Sequence, residues 1–311
     1  MWRCTGPRWS GGAFGLGWYH PERGEERRST LPAGRALAFA VEGERRCLGV
    51  RRAGRWIVCP HAAVLDGAGA RDQCPDCARL DRSRSVAADT MADDPRPYGV
   101  YLAYFGPGLL KVGITAAERG AARLLEQGAV GYSWLGHGPL MAARRAEALL
   151  GSALAVRDRF AKAEKRAARL ALPPAAERAA ALGALHREAQ SLPGWPEALR
   201  AAPYAYADHS EVFGLDRIPA EPGAVGEVGA LRAGAEIAGE VLAAAGSDLY
   251  LRQEGQAGQE GRGGSAVPVV VLDARLLSGW VLRAAAGKVT TADVVVRAES
   301  GTDEGRQEGL F

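Results

Sequence analysis

The hydrophobic pattern of the N-terminal part of the chain predicts strands. Residues 1–34 are interrupted by Gly and Pro and show little periodicity. Beyond them, apolar residues either alternate with smaller ones or form short runs bounded by turn residues, which is typical of strands. The strands predicted in this way cover residues 37–41, 47–50 and 56–59, and the last two form a hairpin around residues 51–54.

The middle of the chain mixes the two periodicities and predicts an αβ unit. Two strands are joined by the strong turn sequence Gly106-Pro107-Gly108, and a helix that follows them is ended by Gly128. A double proline, Pro173-Pro174, then interrupts a long helical pattern. The predicted strands cover residues 98–105, 110–114 and 131–135, and the predicted helices cover residues 119–127, 140–169 and the segment after Pro174 to about Gln190.

From Gly226 onward the pattern again predicts strands. Short β-branched and aromatic runs at residues 249–251, 267–272 and 294–296 indicate a small β-domain. Residues 235–245 fit a strand by alternation and a helix by alanine content. The Gly- and Gln-rich residues 255–264 predict a mobile loop, and the residues from Ser300 onward predict a disordered end.

These elements predict an α+β protein in three parts. Residues 1–96 form an N-terminal β segment with a Cys-rich site, and the polar stretch at residues 93–97 serves as a linker. Residues 97–200 form the αβ domain with a helical extension, and residues 201–311 form a small C-terminal β-domain with a disordered tail.

Composition changes this picture little, but the distribution of charge adds to it. The 311 residues are 47% hydrophobic and 24% charged, with a net charge of +3, which is an ordinary globular balance. Between residues 141 and 170, eight basic residues face three acidic ones. Such a run predicts either helices that contact phosphates or a solvated helix face. The basic residues are Arg144, Arg145, Arg157, Arg159, Lys162, Lys165, Arg166 and Arg169.

The chain has no run of 18 apolar residues, so no membrane span is predicted. Its N-terminus, Met1-Trp2-Arg3-Cys4, lacks the apolar segment of a secretory signal. Five cysteines is an odd number, and cytosolic proteins use cysteines for metal binding more often than for disulfides. Together these features predict a soluble, cytoplasmic protein.

Four of the cysteines predict a structural zinc site. Cys74 and Cys77 belong to a C-P-D-C turn, in which backbone N–H groups face metal-bound thiolates. If the hairpin turn centres on residue 53, Cys47 and Cys59 lie opposite one another. Four thiolates make a closed tetrahedral site that holds the fold and performs no chemistry. His61 is a reserve ligand in place of Cys47, and the alternatives are a Cys47–Cys59 disulfide or ordinary buried thiols.

The αβ unit carries residue types suited to phosphodiester hydrolysis, which needs a base, cations for the developing charge and often a divalent metal. Tyr101 is expected beside Lys111 on the neighbouring strand, where the ammonium could lower the phenol pKa or contact phosphate. Arg119 or Arg123, early in the next helix, would add positive charge, and Glu147 would bind Mg²⁺ or Mn²⁺. Taken singly, each residue also fits a strand aromatic, an edge lysine or a surface ion pair.

The order of these residues resembles the GIY-YIG endonuclease superfamily. The resemblance rests on Gly99-Val100-Tyr101, Lys111-Val112-Gly113, an early helix Arg and a later Glu. It implies Tyr101 as general base, Lys111 at the position of a second Tyr, a helix Arg and Glu147 as the metal ligand. Arg123 is preferred to Arg119, because Arg123 and the next four residues resemble the family's Arg followed by a polar residue near the helix end. The family's Asn after the metal-binding Glu has no clear counterpart.

A second resemblance covers most of the chain. The string from Val100 to Ala103, the string from Lys111 to Thr115 and the ending Glu126-Gln127-Gly128-Ala129 are similar to a prokaryotic family without assigned function, DUF2797. The four upstream cysteines fit that family's layout. The resemblance implies no activity.

Three functions follow as hypotheses. The first is a metal-dependent nuclease-like protein that acts on DNA or RNA, with structural zinc and no small-molecule cofactor. The second is a non-catalytic, zinc-containing module that binds nucleic acid through basic helices. The third is a protein-interaction scaffold. The sequence assigns no oligomeric state.

Overall fold

The computed structural model of the protein describes residues 1–52, 55–81, 94–154, 156–157, 159–221, 223–253 and 268–296. It shows a mixed α+β fold made mostly of β-sheets. The predicted mobile loop at residues 255–264 and the predicted disordered end from Ser300 lie outside the described residues. None of the described helices is both long and apolar enough to cross a membrane.

The strands are numbered in chain order. They are β1 (Arg3–Ser10), β2 (Ala13–His20), β3 (Glu25–Thr30), β4 (Ala36–Glu42), β5 (Val50–Arg52), β6 (Arg55–Ile57), β7 (Tyr98–Gly106), β8 (Leu109–Ala116), β9 (Gly131–Gly138), β10 (Arg200–Ala201), β11 (Ala207–Asp208), β12 (Val225–Val228), β13 (Glu236–Ala245), β14 (Asp248–Arg252), β15 (Val269–Asp273), β16 (Val281–Ala284) and β17 (Val294–Val296).

The α-helices of the described residues are α1 (Pro75–Leu80), α2 (Ala122–Gln127), α3 (Leu140–Ala153), α4 (Lys162–Leu170), α5 (Ala175–Ser191) and α6 (Ser210–Phe213). Short 3₁₀ turns cover Ala117–Arg119, Leu215–Arg217 and Ala274–Leu277.

The first 30 residues form an antiparallel three-stranded sheet in the order β1-β2-β3, although their sequence shows little periodicity. Most of β2 is buried on both faces, which removes the alternation that would have indicated a strand. Its glycines are needed for close strand packing: a Cβ on Gly15 would lie 2.3 Å from the Ser29 carbonyl oxygen, and one on Gly17 would lie 2.3 Å from the Thr5 hydroxyl.

A seven-stranded sheet in the order β16-β4-β13-β14-β15-β12-β17 forms the largest sheet of the described residues. Strand β4 pairs on both sides with C-terminal strands, through Phe39 opposite Ile237 and Val41 opposite Leu282. The ambiguous residues 235–245 therefore belong to a strand. The parts predicted as the first and third domains share this sheet, and their boundaries stay a prediction.

The central sheet has the order β10-β9-β7-β8, and β11 pairs with β9. The three predicted strands of the αβ unit are confirmed within a few residues, and the hairpin turn lies at Pro107-Gly108. Gly128 ends α2 in the left-handed conformation, φ 72°, which glycine adopts without strain. The predicted helix over residues 119–127 is divided into a 3₁₀ turn and α2, and that over residues 140–169 into α3 and α4.

Part of the basic run at residues 141–170 is buried in ion pairs, so neither predicted interpretation holds for that part. Arg166 and Arg169 on α4 both bind the carboxylate of Asp248, at 2.5 and 2.6 Å. Lys162 lies 3.2 Å from the buried carboxylate of Asp273. These contacts fasten α4 to β14 and β15 of the seven-stranded sheet and remove the two arginines from solvent.

Candidate functional site

Four cysteines form a buried cluster. The sulfur atoms of Cys47, Cys59, Cys74 and Cys77 all lie within 4.8 Å of one another, and each residue is at most 5% exposed. The sulfur atoms of Cys59 and Cys74 lie 3.9 Å apart. Four thiolates bound at about 2.3 Å to one zinc ion lie about 3.8 Å apart, so the cluster fits a tetrahedral zinc site.

Three short segments bring these sulfurs together. The β5–β6 hairpin pairs Val50 with Ile57, so the predicted register that placed Cys47 opposite Cys59 is wrong by one residue. Both cysteines lie just outside the paired strands. Gly49 makes the close approach possible, because it has φ 98° and a Cβ there would lie 1.9 Å from the Ile57 carbonyl oxygen. Cys74 precedes α1 and Cys77 lies within its first turn.

Backbone N–H groups donate to the sulfurs of Cys47 and Cys59, whereas burial raises the pKa of the Cys47 and Cys77 thiols. Burial opposes ionisation of the Cys59 thiol, but N–H donors of Ala63 and His61 outweigh it and lower its pKa to about 7. The N–H of Cys74 donates to the sulfur of Cys47 at 3.3 Å. Such donors are what a thiolate cluster needs in order to hold a cation.

The alternatives to four cysteine ligands are not supported. The imidazole of His61 is exposed and lies 3.8 Å from the carboxylate of Asp76, outside the sulfur cluster. No disulfide joins Cys47 to Cys59, since all five cysteines are free thiols. Among the described residues, the only candidate metal ligands in the cluster are the four sulfur atoms. Four protein ligands fit a closed structural site with no position for a substrate.

Tyr101 is deeply buried on the face of the central sheet that packs against α2. Its side chain is 1% exposed, lies edge-on to Trp134 and accepts a hydrogen bond from the Gln127 side chain at 2.8 Å. Burial raises the pKa of Tyr101, against the Gln127 donor. The Tyr101 hydroxyl is therefore buried away from solvent.

The other predicted charged residues surround Tyr101 at longer range. Arg123, and more weakly Arg119, lower the pKa of Tyr101 electrostatically, whereas Glu147 on α3 raises it. Both arginines face one carboxylate: Arg119 lies 2.5 Å and Arg123 lies 3.6 Å from the Glu126 oxygen. The choice of Arg123 over Arg119 as the site Arg stays a prediction.

Lys111 is displaced from the predicted position beside Tyr101. It pairs with Ala103, whereas Gly113 pairs with Tyr101. Because Ala103 is two residues from Tyr101, Lys111 and Tyr101 share a face of the sheet but are not direct neighbours.

Gly113 leaves the space that the Tyr101 ring occupies. We expect Gly113→Ala to destabilise the protein by about 1–3 kcal/mol, because a Cβ there would lie 2.4 Å from the Tyr101 hydroxyl oxygen. Gly151→Ala on α3 is the matched control: nothing lies within 4 Å of its added Cβ, and alanine favours a helix. Urea unfolding measures both, and an equally stable Gly113→Ala variant would contradict this packing.

Sequence reasoning did not assign two residues of this site. Gln127 binds the Tyr101 hydroxyl through its side chain, and the ammonium of Lys165 donates to the Gln127 carbonyl oxygen at 3.2 Å. The same ammonium lies 4.0 Å from the ring centre of Phe105, and burial with the charges of Arg169 and Lys111 lowers its pKa to about 8. Gln127 was noted in the sequence only as part of the string Glu126-Gln127-Gly128-Ala129, and Lys165 only as part of the basic run at residues 141–170.

The fold and the sulfur cluster define a mixed α+β protein with a candidate structural metal site. The family model described as "Protein of unknown function (DUF2797)" matches residues 34–282. The chain therefore belongs to this family, as its strings around residues 100–129 predicted. No curated protein matches the chain, and no solved structure matches it.

Proposed function

We propose that this protein is a nuclease-like protein that acts on nucleic acid phosphodiesters with a divalent metal ion. The main support is the group of charges around Tyr101. Those of Arg119, Arg123 and Glu147 all shift the pKa of its hydroxyl. These residues come from β7, α2, the turn before it and α3. The GIY-YIG resemblance implies Tyr101, Glu147 and one of the two arginines from their order in the sequence, together with Lys111.

The roles follow from the chemistry of each group. Arg119 and Arg123 are partly exposed and would stabilise the negative charge that develops on a phosphate. Glu147 would hold Mg²⁺ or Mn²⁺ through its carboxylate, a hard oxygen ligand of the kind that these ions prefer. The metal would polarise the phosphate and assist the leaving oxygen. The cysteine cluster, with a structural zinc ion, would hold its own part of the fold.

A second candidate function is a non-catalytic nucleic-acid-binding module derived from a nuclease. The observation that favours it is the state of Tyr101, which is 1% exposed and bonded to Gln127. A base has to reach water or its substrate, and a raised pKa makes the phenolate less available at neutral pH. Catalysis by Tyr101 would require Gln127 to release the hydroxyl.

Cleavage assays distinguish these functions. On single- and double-stranded DNA and RNA with Mg²⁺ or Mn²⁺, we expect Glu147→Ala to lose at least about 100-fold in rate, because the metal would lose its protein ligand. Binding of the same substrates should change little. Glu188→Ala, which removes an exposed carboxylate on α5, is the control and should cut like the wild type.

Three other results of these assays would contradict the metal-dependent nuclease. Unchanged cleavage by Glu147→Ala would exclude the proposed metal ligand. Salt-sensitive binding without any metal-dependent cleavage would establish the non-catalytic module. Absence of binding even at about 50 mM salt, where phosphate contacts are strongest, would exclude both and favour a protein-interaction scaffold.

A further inference from the structure

A basic cleft of about 360 Å³ lies on the N-terminal three-stranded sheet. Four arginines and one carboxylate, that of Glu26, contribute to its lining among the described residues. Thr5, Ser10, Trp9 and Trp18 also line it, and of the two tryptophans Trp9 is buried in the main core whereas Trp18 is half-buried. The arginines of this basic cleft are Arg8, Arg27, Arg28 and Arg51.

Arg8 is the least exposed arginine of the basic cleft. Its guanidinium donates only to the Pro7 carbonyl oxygen and the Thr5 hydroxyl, at 3.3 and 3.4 Å. Among the described residues, no carboxylate forms an ion pair with it. Burial and then the charge of Arg51 lower the pKa of Arg8. The charged form of this guanidinium is therefore less stable in the folded protein than in water. A bound anion would remove that disadvantage.

The surrounding groups leave the positive charge of the cleft in excess. Arg27 stacks its guanidinium over the rings of Trp2 and Trp18, at 4.3 and 5.4 Å from their centres. Arg28 donates to the Ala13 carbonyl oxygen, and Arg51 lies 3.4 Å from Glu26. One carboxylate therefore faces four guanidinium groups within the lining.

This combination selects a class of ligand. Guanidinium groups bind phosphate oxygens in a fork geometry, and hydroxyls add weaker hydrogen bonds. Aromatic rings interleaved with arginines are typical of surfaces on which the bases of single-stranded nucleic acid stack. The volume of the cleft lies in the range of sites that hold a nucleotide-sized group.

The basic cleft is close to the Tyr101 site. The negative charge of Glu126 raises the pKa of Arg8, and the same carboxylate pairs with Arg119 and Arg123. Helix α2, which carries Glu126, packs against β1, which carries Arg8. A strand of nucleic acid could therefore contact the basic cleft and the arginines of α2 at once.

We propose that the basic cleft binds the phosphate groups of single-stranded nucleic acid next to the Tyr101 site. The inference extends the proposed function by assigning the surface that holds the strand. It does not require cleavage: the basic cleft would bind a strand in a nuclease and in a non-catalytic module alike.

Fluorescence anisotropy with labelled oligothymidylate and oligouridylate of about 12 nucleotides tests the proposal. We expect Arg8→Gln to weaken binding by about 10-fold and to reduce the slope of log affinity against log salt by about 0.7, the loss of one phosphate contact. Arg28→Gln should weaken binding in the same direction. Arg283→Gln, which removes an exposed arginine of β16 paired with Glu42, is the control with the same change in net charge and should bind within about twofold of the wild type.

The outcomes separate this proposal from the proposed function. Equal affinities for the Arg8, Arg28 and Arg283 variants would overturn the basic cleft as a phosphate site, whatever the cleavage assay shows. A mononucleotide bound as tightly as the oligonucleotide, and lost in Arg8→Gln, would overturn nucleic acid as its ligand and show a small phosphorylated molecule instead. Melting temperatures of each variant verify folding, and Arg28→Gln carries the test if Arg8→Gln does not fold.

Discussion

Replacing Cys77 by Ser should abolish stoichiometric zinc binding and unfold the segment around the cysteine cluster. The purified wild-type chain should contain one zinc ion, because four buried sulfur atoms lie within 4.8 Å of one another. Apparent binding free energies of about 10–16 kcal/mol for structural zinc make this the largest effect expected here. Metal analysis and limited proteolysis measure the two parts of the result.

The reason for such a large effect is the small core of this segment. Apart from the four cysteines, the cluster buries Val50 and packs Ala63 and Leu65 against it. So little apolar surface cannot hold an irregular segment in one conformation without a metal or disulfides. Proteolysis should therefore start between residues 45 and 81 in the variant, while the seven-stranded sheet stays protected.

Cys4 provides the matched control. It is fully buried in the main core, and its sulfur accepts a hydrogen bond from the Gly6 N–H, far in sequence from the cluster. Cys4→Ser should keep its zinc, even if it lowers stability. Zinc retained by Cys77→Ser, or a metal-free wild type with normal protease resistance, would contradict the structural zinc site.

The parts of the fold that the sequence predicted are those set by local signals. The hairpin at residues 98–116 follows from two apolar runs around a Gly-Pro-Gly turn, and α2 ends where Gly128 can adopt a positive φ. The C-x-x-C spacing of Cys74 and Cys77 likewise indicated the cysteine cluster. In each case the signal lies within a few residues of the element it determines.

The parts that the sequence did not predict depend on distant partners. Strand β2 is buried by the strands on either side and by the core, so its pattern lacks alternation. The membership of β4 in the C-terminal sheet depends on pairing between residues about 200 positions apart. The burial of Tyr101 depends on α2 and on Trp134 of β9. No local pattern records such contacts.

The basic residues show the same dependence on distant partners. From the sequence, Arg166 and Arg169 belong to a basic run that resembles a phosphate-binding face. Their side chains are 8% and 2% exposed, because the carboxylate of Asp248 lies opposite them. Arg8, which forms no ion pair among the described residues and which we propose as a phosphate contact, lies outside that basic run. A count of charges along the chain does not show which of them are already paired.

Asp248→Asn should destabilise the protein by about 3–5 kcal/mol, the second large effect. The side chain is 5% exposed and shares its two oxygens between Arg166 and Arg169. Glu227 on β12 would be the remaining carboxylate of the group, 2.7 Å from Arg166, and Arg169 would keep a buried charge without its partner. Removing one member of a buried ion group costs this much because the remaining charge stays desolvated.

Urea unfolding of three further variants tests the origin of this effect. Asp293→Asn removes a carboxylate that is 69% exposed and 3.9 Å from Arg232, and it should change stability by less than about 0.5 kcal/mol. Arg169→Met alone should also destabilise. The double variant Arg169→Met with Asp248→Asn should lose less than the sum of the single losses, because the second change removes the charge that the first left unpaired. Additive losses would mean that Asp248 stabilises the protein through something other than this pairing with α4.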